Sequence, residues 1–152
     1  MKLKLIQDRV VEALNKTGYF DGKAMIVAED KGDVANQLQQ SMMKTKCGVL
    51  VQTPGFSVTS NASKVMVGTA AIAVQTLERV FENRAHNGPT AQDMAEVAAW
   101  SLNMLPVEGV GVLVCRNIAS EMIEGGVLAY TVNFDVQTTL SCPLDNREEE
   151  AV

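Results

Sequence analysis

Few of the residues that enzymes use for chemistry occur in this sequence. The 152 residues include a single histidine, His86, and three cysteines, Cys47, Cys115 and Cys142. The cysteine number is odd and no two cysteines are spaced as CxxC, so neither a disulfide framework nor a zinc site is predicted. Cys47 and Cys115 lie in apolar runs, where a buried, unreactive thiol is the usual case. The sequence therefore predicts no catalytic residues, no metal site and no cofactor.

Aromatic residues, basic residues and long apolar runs are also scarce. Aromatics make up 5% of the chain, and 13 basic residues face 18 acidic ones, for a net charge of −5. Nucleic-acid binding usually requires a basic surface or base-stacking aromatics. No run approaches the ~18 apolar residues of a membrane span. Asp8 and Glu12 interrupt the first apolar segment, which excludes a signal peptide. We expect a soluble acidic protein that binds neither a specific DNA sequence nor a membrane.

Apolar residues at helical spacing predict two main helices. Residues 2–16 carry an apolar face and are followed by Gly18, a typical helix stop. Residues 90–104 form the second helix, with Thr90 as N-cap and Asp93 three residues later. A shorter helix is predicted over 33–43, with Asp33 as its N-cap.

Strands are predicted from β-branched runs and from alternation. The clearest is 127–140, whose apolar and polar residues alternate and indicate one face on a core. Further strands are expected at 23–30, 47–54 and 109–118. Residues 119–126 read as a turn because Gly125 and Gly126 tolerate positive φ.

The segment "VGTAAIAVQTLERVFENR" (67–84) fits both a helix and a strand. Its residues are good helix formers, but the strand at 127–140 needs partners, and a helix here would leave only short ones. We therefore predict one strand over 64–80. Its length exceeds the usual 3–10 residues, so a bend or bulge near Gly68, or an arm that projects as a hairpin, is expected.

These elements predict an α+β fold in a single domain, residues 1–142. A mixed, mostly antiparallel sheet of four to five strands carries helices 2–16 and 90–104 on one face, with the short helix 33–43 in addition. Residues 143–152 form an acidic C-terminal tail that we expect to be flexible.

Three segments carry a resemblance to a known class of proteins. They are "VQTLERVFENR" (74–84), "GPTAQDMAEVAAWSLNML" (88–105) and "LAYTVNFDVQTTL" (128–140). The chain resembles the small tail-terminator and tail-completion (neck, head–tail joining) proteins of long-tailed phages and prophages. The resemblance spans residues 2–141 and includes the order of the predicted helices and strands. In those proteins a polar strand runs into an Asn-Arg turn, the place that Asn83 and Arg84 take here.

The resemblance implies a structural role in the tail or neck of a virion that is assembled in the host cytoplasm. Such proteins form a homo-oligomeric ring, often a hexamer, on the end of the tail tube. The partners would be other copies of the chain, the tail tube protein and head-connector proteins. DNA would pass through the ring without sequence-specific binding.

Two groups of residues are candidates for contact with a partner. Residues 53–63 have the composition of a loop, and Phe56 and Val58 are its apolar anchors. This loop either projects toward a neighbouring subunit or is mobile, with Phe56 tucked back onto the domain. Arg79, Asn83 and Arg84 are candidate polar contacts, although simple solvated charges explain the two arginines equally well.

Two other functions remain open at the level of the sequence. One is a small intracellular adaptor domain of the same fold class. The other is a cysteine-dependent enzyme, in which Cys115 and His86 would have to approach within hydrogen-bonding distance. A lone histidine in a polar turn is far more often solvated than catalytic, so a non-enzymatic role is preferred.

Overall fold

The fold is built around two long antiparallel strands. The computed structural model describes residues 1–84 and 88–142. The helices are α1 (Lys2–Lys16), α2 (Val34–Thr45), α3 (Val80–Arg84) and α4 (Ala91–Leu102). The strands are β1 (Met25–Ala28), β2 (Cys47–Val51), β3 (Gly55–Ala62), β4 (Val65–Arg79), β5 (Pro106–Val107), β6 (Gly111–Val112), β7 (Val114–Ile123) and β8 (Val127–Ser141). The predicted tail, 143–152, lies outside the described residues.

The main sheet has six strands in the described chain, whereas the sequence predicts four to five. Its order is β1-β2-β4-β8-β7, and β3 pairs with the first half of β4, beside β2. β1 and β2 are parallel, and every other pair in this sheet is antiparallel. β5 and β6 form a separate small hairpin. The mixed, mostly antiparallel α+β fold is confirmed.

One face of the sheet carries the main core, under α1 and α4. The apolar side chains of the three central strands on this face are Val49, Val51, Ala70, Ile72, Val74, Val132, Phe134 and Val136. Ile6, Val10 and Leu14 of α1 pack on them, as do Met94, Ala98 and Leu102 of α4. The apolar stripes that predicted both helices are thus the stripes that they bury.

In the described ranges, the opposite face is covered at one end, by α2. Met42 packs there against Leu77 and Ala129, with Leu38 at the margin. A methyl group at Gly48 would lie 2.9 Å from Leu38, so glycine lets this helix approach β2 closely. Beyond α2, this face is lined by half-exposed polar residues of β8, which explains the alternation seen in the sequence.

The ends of the helices show which predicted caps form. The Thr90 hydroxyl accepts a hydrogen bond from the backbone N–H of Asp93 at 3.0 Å and caps α4 as predicted. Asp33 does precede α2, but its side chain accepts a bond from Asn36 rather than from the backbone. Gly18 follows α1 with φ of 70°, which suits its predicted role as a stop.

The strand interpretation of the ambiguous segment is confirmed. β4 runs for 15 residues and pairs with β8 along its whole length. The predicted irregularity lies next to Gly68 but in the neighbouring strand, where Thr59 is the extra residue between two register pairs. β4 then ends in helix α3, which places Phe81 outside the sheet and 91% exposed.

Two predictions of irregular structure are wrong. Residues 55–62 of the expected loop form strand β3, and β7 extends to Ile123, so only residues 124–126 of the predicted turn connect β7 to β8. Both segments are exposed over most of their length. Pairing of their backbone groups with β4 and β8 makes them strands, and that pairing leaves little trace in the pattern of side chains.

Close approach of the backbone makes glycine necessary at position 68. A methyl group at Gly68 would collide with the backbone carbonyl of Ser57 and touch the ring of Phe56, whereas one at Gly55 meets no neighbouring atom. We expect Gly68→Ala to destabilise the protein by about 1–3 kcal/mol, because β3 must move. The matched change Gly55→Ala should stay within about 1 kcal/mol of the wild type. Urea unfolding curves measure both, and equal stability of the two variants would contradict this packing.

Candidate interaction surfaces

An exposed hairpin forms part of the end of the sheet that lies opposite to α3. We define the hairpin arm as residues 55–71, which comprise β3, the turn after it and the first half of β4. Every residue from 57 to 67 is exposed. The arm's exposed apolar side chains are Val58 at 47%, Val65 at 39%, Met66 at 37% and Val67 at 41%. The predicted projecting segment is therefore an ordered hairpin that offers apolar surface.

The two predicted anchors of this segment differ in their availability. Phe56 is half-buried and packs against the main core, which agrees with the interpretation that its ring tucks back onto the domain. Val58, two residues later on the same face of β3, is exposed. Of this pair, Val58 is the side chain that the arm presents to solvent.

The three predicted polar contacts do not form one surface. Arg79 is half-buried at the end of β4, where its backbone N–H donates to the carbonyl of Lys46 at 2.9 Å. Its Nε is buried and has no hydrogen-bond partner in the described part of the chain. Arg84 is the last residue of α3. Asn83 is only 1% exposed, so the expectation of a surface contact at this position is wrong.

Asn83 belongs to a buried polar network that holds the start of α4. Glu78, 2% exposed, accepts a hydrogen bond from the backbone N–H of Ala91 at 2.9 Å and another from the Asn83 amide at 2.7 Å. The same amide donates to the carbonyl of Pro89 at 2.8 Å, and the Thr76 hydroxyl donates to the carbonyl of Ala91 at 2.8 Å. A carboxylate at a helix N-terminus satisfies free N–H groups and complements the helix dipole. The sequence feature that could have indicated this network is Glu78, an acidic residue at a core-facing position of β4.

An open groove between α4 and β7 is lined by the single tryptophan of the chain, Trp100. Trp100 of α4 is 86% exposed and Ile118 of β7 is 44% exposed, and both line an open groove of about 1090 Å³. Val97 and Cys115 line the same groove. We call it the Trp100 groove. Trp100 lies outside the buried apolar stripe of α4, and that position is the sequence feature from which this surface could have been predicted.

The sheet has two unlike edges. β7 forms one edge over ten residues, and β1 and β3 lie on the other side. Near the start of β7, the Cys115 N–H donates to the Asn103 side chain at 3.0 Å. Past that point the structure described here pairs β7 with β8 alone. Edges of this kind present unpaired backbone donors and acceptors that can accept a further strand.

Cys47 is buried and Cys115 is half-buried, as unreactive thiols usually are, whereas Cys142 is exposed. Burial raises the pKa of Cys47 to about 11, with a smaller contribution from Glu78, and burial also raises the pKa of Cys115. His86 lies outside the described residues, so the Cys115–His86 pair stays an untested prediction.

Within residues 1–84 and 88–142, no group of three His, Cys, Asp or Glu side chains could hold a metal. No helix in these ranges has the length and apolar character of a membrane span.

Comparison with known proteins gives a likeness of fold. No protein-family model matches the chain, and no curated protein matches its sequence. Among solved structures it is similar to a chain described as "Virion of native gene transfer agent (GTA) particle", with a TM-score of 0.59 and 10% identity. The likeness covers 88% of this chain and 93% of that chain. At this identity it shows that the two chains share a fold.

The buried network predicts that truncation of Asn83 in α3 lowers the free energy of unfolding more than truncation of its exposed neighbour. We expect Asn83→Ala to destabilise the protein by about 2–3 kcal/mol, because a buried carboxylate loses a donor. The neighbouring change Glu82→Ala removes a half-exposed ion pair with Lys46 at 3.6 Å and should cost less than about 1 kcal/mol. Thermal and urea unfolding measure the difference. If Asn83→Ala were as mild as Glu82→Ala, the network would not hold α4.

The thiols should react in order of their exposure to solvent. Iodoacetamide at pH 8 is expected to label exposed Cys142 first, Cys115 slowly and Cys47 last, since thiolate is the reactive form. Peptide mass spectrometry over time gives the three rates, and labelling in urea provides the unfolded control. Fast labelling of Cys47 in the folded protein would contradict its burial.

Proposed function

We propose that this chain is a structural protein of a virion. Its copies form a ring that caps the tail tube or joins the tail to the head connector of a long-tailed phage, a prophage or a related particle. The ring is a homo-oligomer, with a hexamer as the expected size. Its partners are the tail tube protein and head-connector proteins, and its place is the tail or neck of a particle assembled in the host cytoplasm.

The likeness of fold to a virion chain carries this proposal. Nearly the whole of both chains takes part, so the common architecture includes the long strands and the helices above them, rather than one shared motif. The same role is implied by the resemblance of residues 74–84, 88–105 and 128–140 to tail-terminator and neck proteins.

The unlike edges of the sheet support assembly into a ring. A cyclic oligomer uses heterologous contacts, in which one patch of a subunit meets a different patch of the next. The chain offers two such patches at opposite edges of the sheet. One is β7 together with the Trp100 groove, and the other is the hairpin arm. A twofold dimer would instead require one patch that is complementary to itself.

The charge of the chain and the state of its thiols agree with a structural role. A net charge of −5 favours passage of DNA over its retention, since retention requires basic residues against the phosphates. The raised pKa values of Cys47 and Cys115 keep both thiols protonated at neutral pH, which does not suit a cysteine nucleophile.

The proposal predicts closed rings. Native mass spectrometry of the purified chain should give one stoichiometry above the dimer, and negative-stain images should show rings that bind one end of tail tubes assembled from the tube protein of the same genome. An unrelated acidic protein of similar size serves as the control for binding to tubes. A chain that stays monomeric at all concentrations and leaves tube ends bare would contradict the proposal and favour an adaptor domain.

A further inference from the structure

We infer that the hairpin arm of one copy docks on the β7 edge and the Trp100 groove of the next copy. This inference rests on the proposed ring and identifies the surfaces that form it. In this arrangement β3 of one subunit lies beside β7 of its neighbour, and the sheet continues from subunit to subunit.

The backbone of both strands leaves a side open to such pairing. Within the described residues, β3 pairs with β4 alone and β7 with β8 alone. Exposed edges in proteins are usually protected by lysine, by proline, by bulges or by inward-pointing charges. The eight residues of β3, "GFSVTSNA", contain a bulge at Thr59 but no charged residue and no proline. β7 has a bulge at Arg116 and a second charge at Glu121. Of the two edges, the uncharged β3 is the one better suited to strand addition.

A subunit cannot use its own arm in this way. β4 and β8 lie between β3 and β7, and neighbouring strands are about 4.8 Å apart, so the two open edges are separated by about 14 Å of paired sheet. They also face in opposite directions. The strand that β7 receives from β3 must therefore come from another copy, and the same contact can repeat until the ring closes.

Apolar side chains are available on both surfaces. The arm contributes Val58 and the exposed residues at the start of β4. The receiving surface contributes Trp100 at 86% exposure, Ile118 at 44% and Met122 at 64%. In the register of β7 with β8, Ile118 and Met122 point to the same face of the sheet as α4. Exposed tryptophan next to smaller apolar residues is a frequent energetic centre of protein interfaces.

The charges of the two surfaces are complementary. Residues 52–77, which include the whole arm, contain one charged side chain, Lys64. Residues 91–126, which include α4 and β7, contain five acidic residues and one basic residue. The basic residue, Arg116, is itself paired with Asp135 at 2.9 Å. An arm without acidic residues can approach this acidic surface without repulsion, whereas two copies of the acidic surface would repel each other.

Substitutions in the two patches test the inference directly. Trp100→Ala removes the anchor of the groove, and Val58→Asp brings a negative charge from the arm to the acidic surface. Each should raise the protein concentration needed for half-assembly by more than about tenfold. Phe81→Ala is the matched control, because Phe81 is 91% exposed but lies outside both patches, and it should assemble like the wild type. Unfolding curves of the variants verify that all of them fold, as their exposure leads us to expect.

A mixture of the two defective variants gives the sharper test. The Val58→Asp chain keeps an intact groove and the Trp100→Ala chain keeps an intact arm. The arm of a Trp100→Ala copy can therefore dock on the groove of a Val58→Asp copy, whereas the reverse contact is defective on both surfaces. Native mass spectrometry should show a complex of one copy of each, which cannot extend to a ring. Rings of normal stability in both single variants would overturn this interface and leave the proposed ring standing. A wild-type chain that never assembles would contradict the ring itself.

Discussion

The pairing of β4 with β8 is the constraint on which the rest of the structure depends. The two strands run antiparallel over fifteen residue pairs, from Val65–Ser141 to Arg79–Val127. This register puts Ile72, Val74 and Phe134 on the same face, where α1 and α4 cover them. A shift by one residue would turn these side chains to the polar face and expose the core. The same pairing carries the hairpin arm at one end and supports α3 at the other.

The end of β4 shows how a sheet can position a helix through polar contacts. Glu78 lies on the core face as the next-to-last residue of β4, and it accepts hydrogen bonds from the first residue of α4 and from Asn83. Because the carboxylate is buried, it must keep its donors, and this requirement orients α3 and α4 relative to the sheet. Asn83 thus stabilises the domain from inside. The surface on which assembly is proposed depends on it, since α4 holds Trp100.

The exposed surfaces of the molecule follow from the same architecture. A strand pair longer than the helices that cover it leaves its ends without a core, and the hairpin arm is one of these ends. α4 covers the sheet as far as β7 but turns Trp100 outward, so a groove remains beside an open edge. The hairpin arm and the Trp100 groove lie at opposite edges of the sheet and differ in charge. Both properties favour contact between unlike patches of successive copies, which is the geometry of the proposed ring.

The sequence by itself determined the α+β class, the helices α1 and α4, the Thr90 cap and the strand β8, because burial of one face imposes a period that the residue pattern records. It determined β4 only through the need of β8 for a partner. Tertiary structure alone decided that 55–62 is a strand, that β7 reaches Ile123 and that Asn83 is buried. The two strand segments are held by backbone pairing and bury few side chains, so they show no period. Asn83 is buried by contact with Glu78 and Pro89, which only the folded chain brings together.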